Sequence, residues 1–239
     1  MEGRGVMRSS IATIALVIVV QGCTAQEPKR AVFRLGDFMS SRLNELPYDS
    51  PPQVIYRIDE HRFVTLEHYR DCHHGDTYYN DTRANTRKYL GRGYFENFQG
   101  RVINADPSGK NIVLPLAYPP RVICGNGEKG CVMPFWYSTD GGKNFATKVY
   151  ADHSFNPSED SKRYVFAVTR DSIFISKKIS GTVNVFDTDR YPIIPNSTGN
   201  RIEFDAKMPS NLRTPSGQDR IACDASIKPT NPDAPLVLQ

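Results

Sequence analysis

The 239 residues carry 30 Lys and Arg against 26 Asp and Glu, a formal charge of +4, and 39% of them are hydrophobic. That supports one large domain or two small ones with a real core. The 12 Tyr, 12 Phe and one Trp exclude a disordered chain. A mean hydropathy of −0.47 with a single long apolar run excludes a multi-span membrane protein. No block of five like charges occurs, which argues against nucleic-acid binding, because phosphate affinity needs a concentrated basic face.

Residues 1–22 read as an export signal. Arg4 and Arg8 form its positive start, and Ile11–Val20 is an apolar stretch of ten residues. A bilayer-spanning helix needs ~20, so a cleaved signal fits better than a spanning anchor. Val20-Gln21-Gly22-Cys23 then resembles the bacterial lipobox, although Gln21 is bulkier than the usual small residue. The resemblance implies acylation of Cys23 and cleavage before it. Several acyl chains on one Cys anchor stably, where one chain binds only marginally. The alternative is an ordinary signal peptide with an incidental Cys. Thr24 follows the Cys and no Asp is there, which by the usual sorting rule points to the outer membrane, facing the periplasm. Residues 23–30 form the lipidated Cys and a short polar tether, and residues 31–239 one β-rich domain.

Setting Cys23 aside leaves Cys72, Cys124, Cys131 and Cys223. An even number in an exported chain implies disulfides, since the periplasm is oxidising. Four Cys allow three pairings. Cys124 and Cys131 flank a Gly-rich segment suited to a reversing loop, which favours pairing them and leaves Cys72 with Cys223. A metal reading competes at Cys72-His73-His74-Gly75-Asp76, but adjacent strand residues point to opposite faces and no second cluster has finger spacing. No metal or cofactor is expected.

Past the tether, Leu35, Phe38, Met39 and Leu43 fall at helical spacing, so residues 32–46 are expected to hold a short helix that Pro51-Pro52 forbids from continuing. Strands are then predicted in close succession. They are Gln53–Ile58, Arg62–Tyr69, Asp76–Asn80, Arg87–Leu90, Gln99–Ile103, Asn111–Leu116, Arg121–Cys124, Cys131–Ser138, Phe145–Tyr150, Arg163–Val168, Ser172–Ser176 and Gly181–Asp187. Turn residues separate them, notably Asp59-Glu60-His61, Asp106-Pro107-Ser108-Gly109 and Thr169-Arg170-Asp171, the last joining a hairpin. Such spacing predicts an all-β fold, propeller-like or a sandwich of antiparallel sheets. Residues 205–239 are rich in Pro, Ser and Asn and read as irregular.

One turn has readable mechanics. Ser138-Thr139-Asp140-Gly141-Gly142-Lys143-Asn144-Phe145 resembles the Asp-box of sialidase-like propellers through Ser138, Asp140, Gly142 and Phe145. Asp140 can accept backbone N–H bonds within its own turn. Gly142 tolerates positive φ. The role is structural, and no catalysis is assigned to Asp140. Sialidases carry several such boxes, an Arg cluster and a Tyr nucleophile; here one box stands in a short chain, with Arg57, Arg62, Arg70 and Arg121 scattered. No nucleophile elbow, zinc helix, phosphate loop or dinucleotide fingerprint occurs, which moves weight from catalysis to binding.

The whole pattern resembles a known family. A lipobox Cys precedes Tyr79-Asn80-Asp81-Thr82, then Leu90-Gly91-Arg92-Gly93, Glu96-Asn97-Phe98-Gln99-Gly100-Arg101, Cys124 with Cys131, and Phe135-Trp136-Tyr137-Ser138-Thr139-Asp140. Over roughly residues 50–190 this is similar to the type VI secretion immunity lipoproteins of the Tli group, partners of the third lipase class. The resemblance implies a non-enzymatic, membrane-tethered periplasmic protein that binds and neutralises a cognate phospholipase effector. Contact residues do not carry over. From the residues themselves, Tyr78, Tyr79, Arg87, Tyr89, Arg92, Tyr94 and Phe95 are the expected contact face, since Tyr and Arg dominate binding hot spots; the competing reading makes the tyrosines core. A sialidase-like carbohydrate-binding protein and a structural envelope lipoprotein are the alternatives.

Overall fold

The computed structural model describes residues 43–45, 47–122, 124, 129–179, 185–193, 202–232 and 236–238. The export signal, Cys23, the tether and most of the expected helix at 32–46 lie outside them. Where that stretch is described it is a strand: β1 (Leu43–Glu45) pairs antiparallel with β13 (Leu236–Leu238). The pairing with a distant segment overrides the local helical spacing. Among the described residues, no helix is long and apolar enough to cross a membrane.

Three further sheets build the body, and the fold is all-β. The first is a meander of β2 (Gln53–Arg57), β3 (Arg62–Asp71), β4 (His74–Asp81) and β5 (Thr86–Arg92). The second is β7 (Ile112–Pro115), β8 (Cys131–Ser138) and β9 (Ala146–Ser154). The third runs in the order β12 (Phe186–Pro192), β11 (Ser172–Lys178), β10 (Tyr164–Val168) and β6 (Arg101–Asn104). The expected hairpin across Thr169-Arg170-Asp171 is β10–β11, with Phe166 opposite Ile175. One pairing departs from the antiparallel expectation: β6 runs parallel to β10, placing Val102 beside Phe166. The sequence could not show this, because the strands are joined through a whole intervening sheet.

Alternation sets the buried side of the first sheet, whereas β7 and most of β11 are buried on both faces. On the inward face of the first sheet lie Val64, Leu66 and Tyr79, all fully buried. They meet Ile112, Leu114, Met133 and Phe135 of the second sheet and Phe166, Val168 and Ile173 of the third in one core. Phe166 stands 5.4 Å from Phe135 and 5.6 Å from Phe98 between ring centroids. Each such buried aromatic contributes roughly 1.5–3 kcal/mol of transfer free energy.

A polar hub sits inside this apolar core. Asn104 donates from Nδ2 to the Tyr56 hydroxyl (3.0 Å) and to the Val113 carbonyl (3.1 Å), and its Oδ1 accepts the Val113 N–H (2.8 Å). Tyr56 donates to the Val102 carbonyl at 3.1 Å. One side chain thus ties together β2, β6 and β7, a strand from each sheet. Burial pushes the Tyr56 phenol up to about 12, so it stays a neutral donor.

The described part of the C-terminal segment before β13 is irregular, as its composition predicts, yet residues 216–222 are hydrogen-bonded to the body. Val102 donates to Asp219 O, Ala222 to Ile55 O and Ser216 to Ile58 O. Residues 216–222 therefore satisfy backbone groups of both β2 and β6, each the outermost strand of its sheet. Cys72–Cys223 clamps this segment to the β3–β4 turn, and Cys124–Cys131 is the second disulfide.

Other differences are local. The short helix α1 (Pro157–Ser161) was not expected; Pro at its first turn and Glu159 and Asp160 near its start are its signals. The last predicted strand is shifted to Phe186–Pro192, with 181–184 outside the described residues. No strand forms at Arg121 and Val122.

Candidate partner-binding face

The solvent side of β3–β5 carries what the alternation leaves outward. Glu67, Asp76, Tyr78, Arg87, Tyr89 and Arg92 share this face, with Glu67 opposite Asp76 and Tyr78 opposite Tyr89. Their side chains form a connected lattice. Arg87 donates from both terminal nitrogens to Glu67 (2.9 Å each), and its guanidinium lies 3.8 Å from the Tyr78 ring centroid. The Tyr78 and Tyr89 rings are 5.3 Å apart. The Tyr89 hydroxyl donates to Asp76 (3.3 Å), as does Arg92 through Nε (2.9 Å), and His68 Nδ1 lies 3.2 Å from the same carboxylate. Burial alone would raise the Asp76 carboxyl. The hydrogen bonds and charge of Arg92, with His68 and Tyr89, outweigh it and hold the group below its ordinary value. Glu67 is likewise lowered: Arg87 and Thr65 overcome the cost of burial.

Such a face is pre-organised. Arg and Tyr side chains fixed in one rotamer lose little entropy when a partner arrives. Tyr89 is 58% exposed and Arg87 is exposed, so both can be touched. Tyr78, Arg92 and Tyr94 are partly exposed.

Two residues expected on the contact face are not on it. Tyr79 and Phe95 are wholly buried. Tyr79 follows Tyr78 on β4, so strand alternation turns it inward. Phe95 opens a 3-10 turn (Phe95–Asn97) folded under the sheet, edge-on to Tyr56 at 5.9 Å. The opposite reading, that these aromatics are core, holds for them.

Tyr79 has another role. Its ring meets Phe145 edge-on at 5.5 Å, and its hydroxyl donates to Gly141 O at 3.2 Å. It supports the turn after β8. There Ser138 Oγ donates to Asp140 (2.8 Å) and accepts the Gly142 N–H (2.9 Å), while Asp140 accepts the backbone and side-chain amides of Asn144 (3.0 and 2.7 Å). Gly142 has φ +83°, and a Cβ there would lie 2.2 Å from Tyr79 Cε1. The conformation and the contact both demand glycine.

The Cys-His-His segment is tied up locally. Cys72 is disulfide-bonded, His73 Nδ1 lies 2.7 Å from Asn97 Oδ1, and His74 Nδ1 lies 2.8 Å from Asp71. Among the described residues, no three His, Cys, Asp or Glu side chains converge to hold a metal ion. Of the scattered arginines, Arg62 is bound by Asp59 and the Gly109 carbonyl, and Arg57 stacks on Phe63.

Sequence reading missed Glu67 and Asp76, the carboxylates that orient this face. Their signal was present in the outward positions of β3 and β4, where period-2 alternation places them beside Tyr78. It also missed Glu96, which is 6% exposed. Its carboxylate accepts the N–H groups of Gly93 (2.8 Å), Tyr94 (3.0 Å) and Gly75 (3.4 Å) and so shapes the turn after β5.

The segment that builds this face and its supporting core lies within the region of family similarity. The family model of the T6SS Tli3 immunity protein matches residues 48–177, from the start of the first sheet to the end of β11 and more than half of the chain. A comparison with curated proteins finds no match. The chain therefore belongs to the T6SS Tli3 immunity protein family.

Proposed function

We propose that this protein is a periplasmic lipoprotein that binds a cognate type VI secreted phospholipase and blocks it, without catalysis of its own. The observation that carries the reading is the family match over residues 48–177. The N-terminal residues support the location. In this reading residues 1–22 are a cleaved export signal, Cys23 carries the lipid, residues 23–30 are the tether and residues 31–239 act as one inhibitory domain at the outer membrane. A tether raises the local concentration of inhibitor where a phospholipase must act. The contact face is the outer side of β3–β5, with Tyr78, Arg87, Tyr89, Arg92 and Tyr94. The Asp-box-like turn of Ser138, Asp140, Gly142 and Phe145 is scaffold.

The test is direct. The full-length protein, purified in detergent, is mixed with the cognate phospholipase effector, sought first among the neighbouring genes, and complex formation and lipid hydrolysis are followed together. Stoichiometric binding with loss of hydrolysis is expected. Full hydrolysis at a several-fold excess of the protein would overturn the reading. Cys23→Ser is expected to release the protein from the membrane without unfolding it.

A further inference from the structure

Beside the outer face of β3–β5 a groove of about 400 Å³ opens, and Arg92 belongs to both. Its polar wall is Arg70, His74 and Arg92, and its aromatic wall is Tyr48, Tyr94 and Tyr118. No Asp or Glu is among its described lining residues. The carboxylates that meet these polar groups, Asp71 (3.2 Å from Arg70 Nε, 2.8 Å from His74 Nδ1) and Asp76, lie outside the wall and orient it.

The groove is assembled from four separate stretches of the chain, around Tyr48, Arg70–His74, Arg92–Tyr94 and Tyr118–Val122, and is held by fixed contacts. Gly91 (φ +106°) and Gly93 (φ +76°) turn the end of β5 so that Arg92 and Tyr94 line one groove. Buried Glu96 fixes that turn through the Gly93 and Tyr94 N–H groups. Ala117 N donates to Tyr94 O, bringing Tyr118 edge-on to Tyr94 at 5.4 Å. The Cys72–Cys223 disulfide sits between Arg70 and His74 in sequence and clamps their turn.

We propose that this groove docks an acidic side chain, an Asp or Glu on an exposed loop of the effector, flanked by apolar atoms that pack on the tyrosines. The inference rests on the immunity reading and adds where the toxin is gripped. A carboxylate between two guanidiniums makes charge-assisted hydrogen bonds. Once the partner covers the groove, its Tyr walls keep water from those bonds and strengthen them. Arg and Tyr around a pocket are the composition of protein hot spots. Fixed side chains reduce the entropy lost on binding.

The experiment measures affinity of the full-length protein in detergent for the effector found by the preceding test, with four variants. Arg70→Glu reverses a charge of the wall. Arg70→Gln removes it without setting two carboxylates side by side at Asp71. Tyr118→Ala opens the aromatic wall. Lys207→Glu makes the same charge change as Arg70→Glu on a different, exposed surface. Circular dichroism and a thermal melt identify variants that still fold. Arg70→Glu and Tyr118→Ala are expected to weaken binding by roughly tenfold or more, as hot-spot losses do, Arg70→Gln by less, and Lys207→Glu by less than about twofold. Reversing one acidic residue of the effector to Arg is expected to restore binding to Arg70→Glu. Wild-type binding with unchanged affinity in folded Arg70 and Tyr118 variants overturns the groove and leaves the immunity reading standing. Absence of binding by the wild type overturns both. Binding of dihexanoyl phosphatidylglycerol below its micellar concentration, lost in Arg70→Glu while effector affinity is kept, overturns the proposal in favour of a lipid headgroup.

Discussion

Removing the two disulfides separately should cost very different amounts. Cys72–Cys223 spans 151 residues of sequence and Cys124–Cys131 only 7. In the chain-entropy treatment, a cross-link stabilises by shrinking the unfolded ensemble, and the effect grows with the logarithm of loop length. The long loop gives about 5 kcal/mol at 25 °C and the short one about 2, a gap of about 3. The structure adds a local consequence. Past Cys223, residues 224–231 are held by Ile227 packed on the core, by buried Pro229 and by exposed polar contacts such as Asp224 N–H to Gln53 Oε1 (2.8 Å) and Thr230 to Asp49. Exposed bonds of this kind are worth little individually. Double substitutions, Cys72→Ala with Cys223→Ala and Cys124→Ala with Cys131→Ala, avoid leaving a lone thiol. Guanidinium unfolding under oxidising conditions reads the loss from midpoint and slope. Cys131 is buried, so its loss also costs packing and works against the expected order. Limited proteolysis should cut first within residues 224–231 in the variant lacking the long bridge. Equal costs, or a larger cost for the short bridge, would refute the entropic reasoning.

Three further outcomes follow from single residues. Asn104→Ala orphans the buried Val113 N–H and removes a partner from Tyr56 and from the Val113 carbonyl. It should cost at least ~2 kcal/mol in denaturant unfolding, against ~0.5 or less for a surface change. Gly142→Ala forces a Cβ onto Tyr79 at φ +83°; a loss of roughly 1–3 kcal/mol is expected, and Tyr79→Leu in the same chain should relieve part of it, so strict additivity would count against the contact. Glu96 gives a pH signature. Burial raises its carboxyl from 4.5 to about 7, so the folded state holds that proton more tightly than the unfolded one. Its stabilisation is fully present below pH 4.5 and is lost as pH rises through about 7, roughly 3 kcal/mol in all. Glu96→Gln should flatten the stability profile across that window; an unchanged slope would contradict the assignment. Asp76 and Glu67 act in the opposite sense, since both are lowered: their contribution is complete above the ordinary values of 3.8 and 4.5 and is lost as pH falls below them.

How much of this was legible depended on range. Strand alternation and turn chemistry are local, so Arg62–Tyr69, Cys131–Ser138 and the hairpin at Thr169-Arg170-Asp171 could be read directly from periodicity. The same locality explains why Ser138 and Asp140 could be placed in one turn, since the bonds their side chains make within it span at most four residues. The parallel neighbour of β10 could not be read, because β6 lies some sixty residues earlier with a complete sheet between. Nor could the inward turn of Tyr79 and Phe95. Composition marks a Tyr-rich stretch, but only register decides which tyrosine faces water, and two adjacent positions on β4 have opposite fates. The groove was least legible. Arg70, Arg92 and Tyr118 belong to three different stretches, and nothing in their neighbours announces that they meet. The Tyr48 and Tyr118 loops reach it only through long-range packing.

If the proposed function holds, phospholipid hydrolysis by the cognate effector falls when the full-length protein is titrated in. Hydrolysis is expected to fall linearly to zero at one or a small whole number of inhibitor molecules per enzyme. The complex is expected to survive gel filtration. Undiminished hydrolysis at excess protein, with no co-elution, would contradict the proposed function.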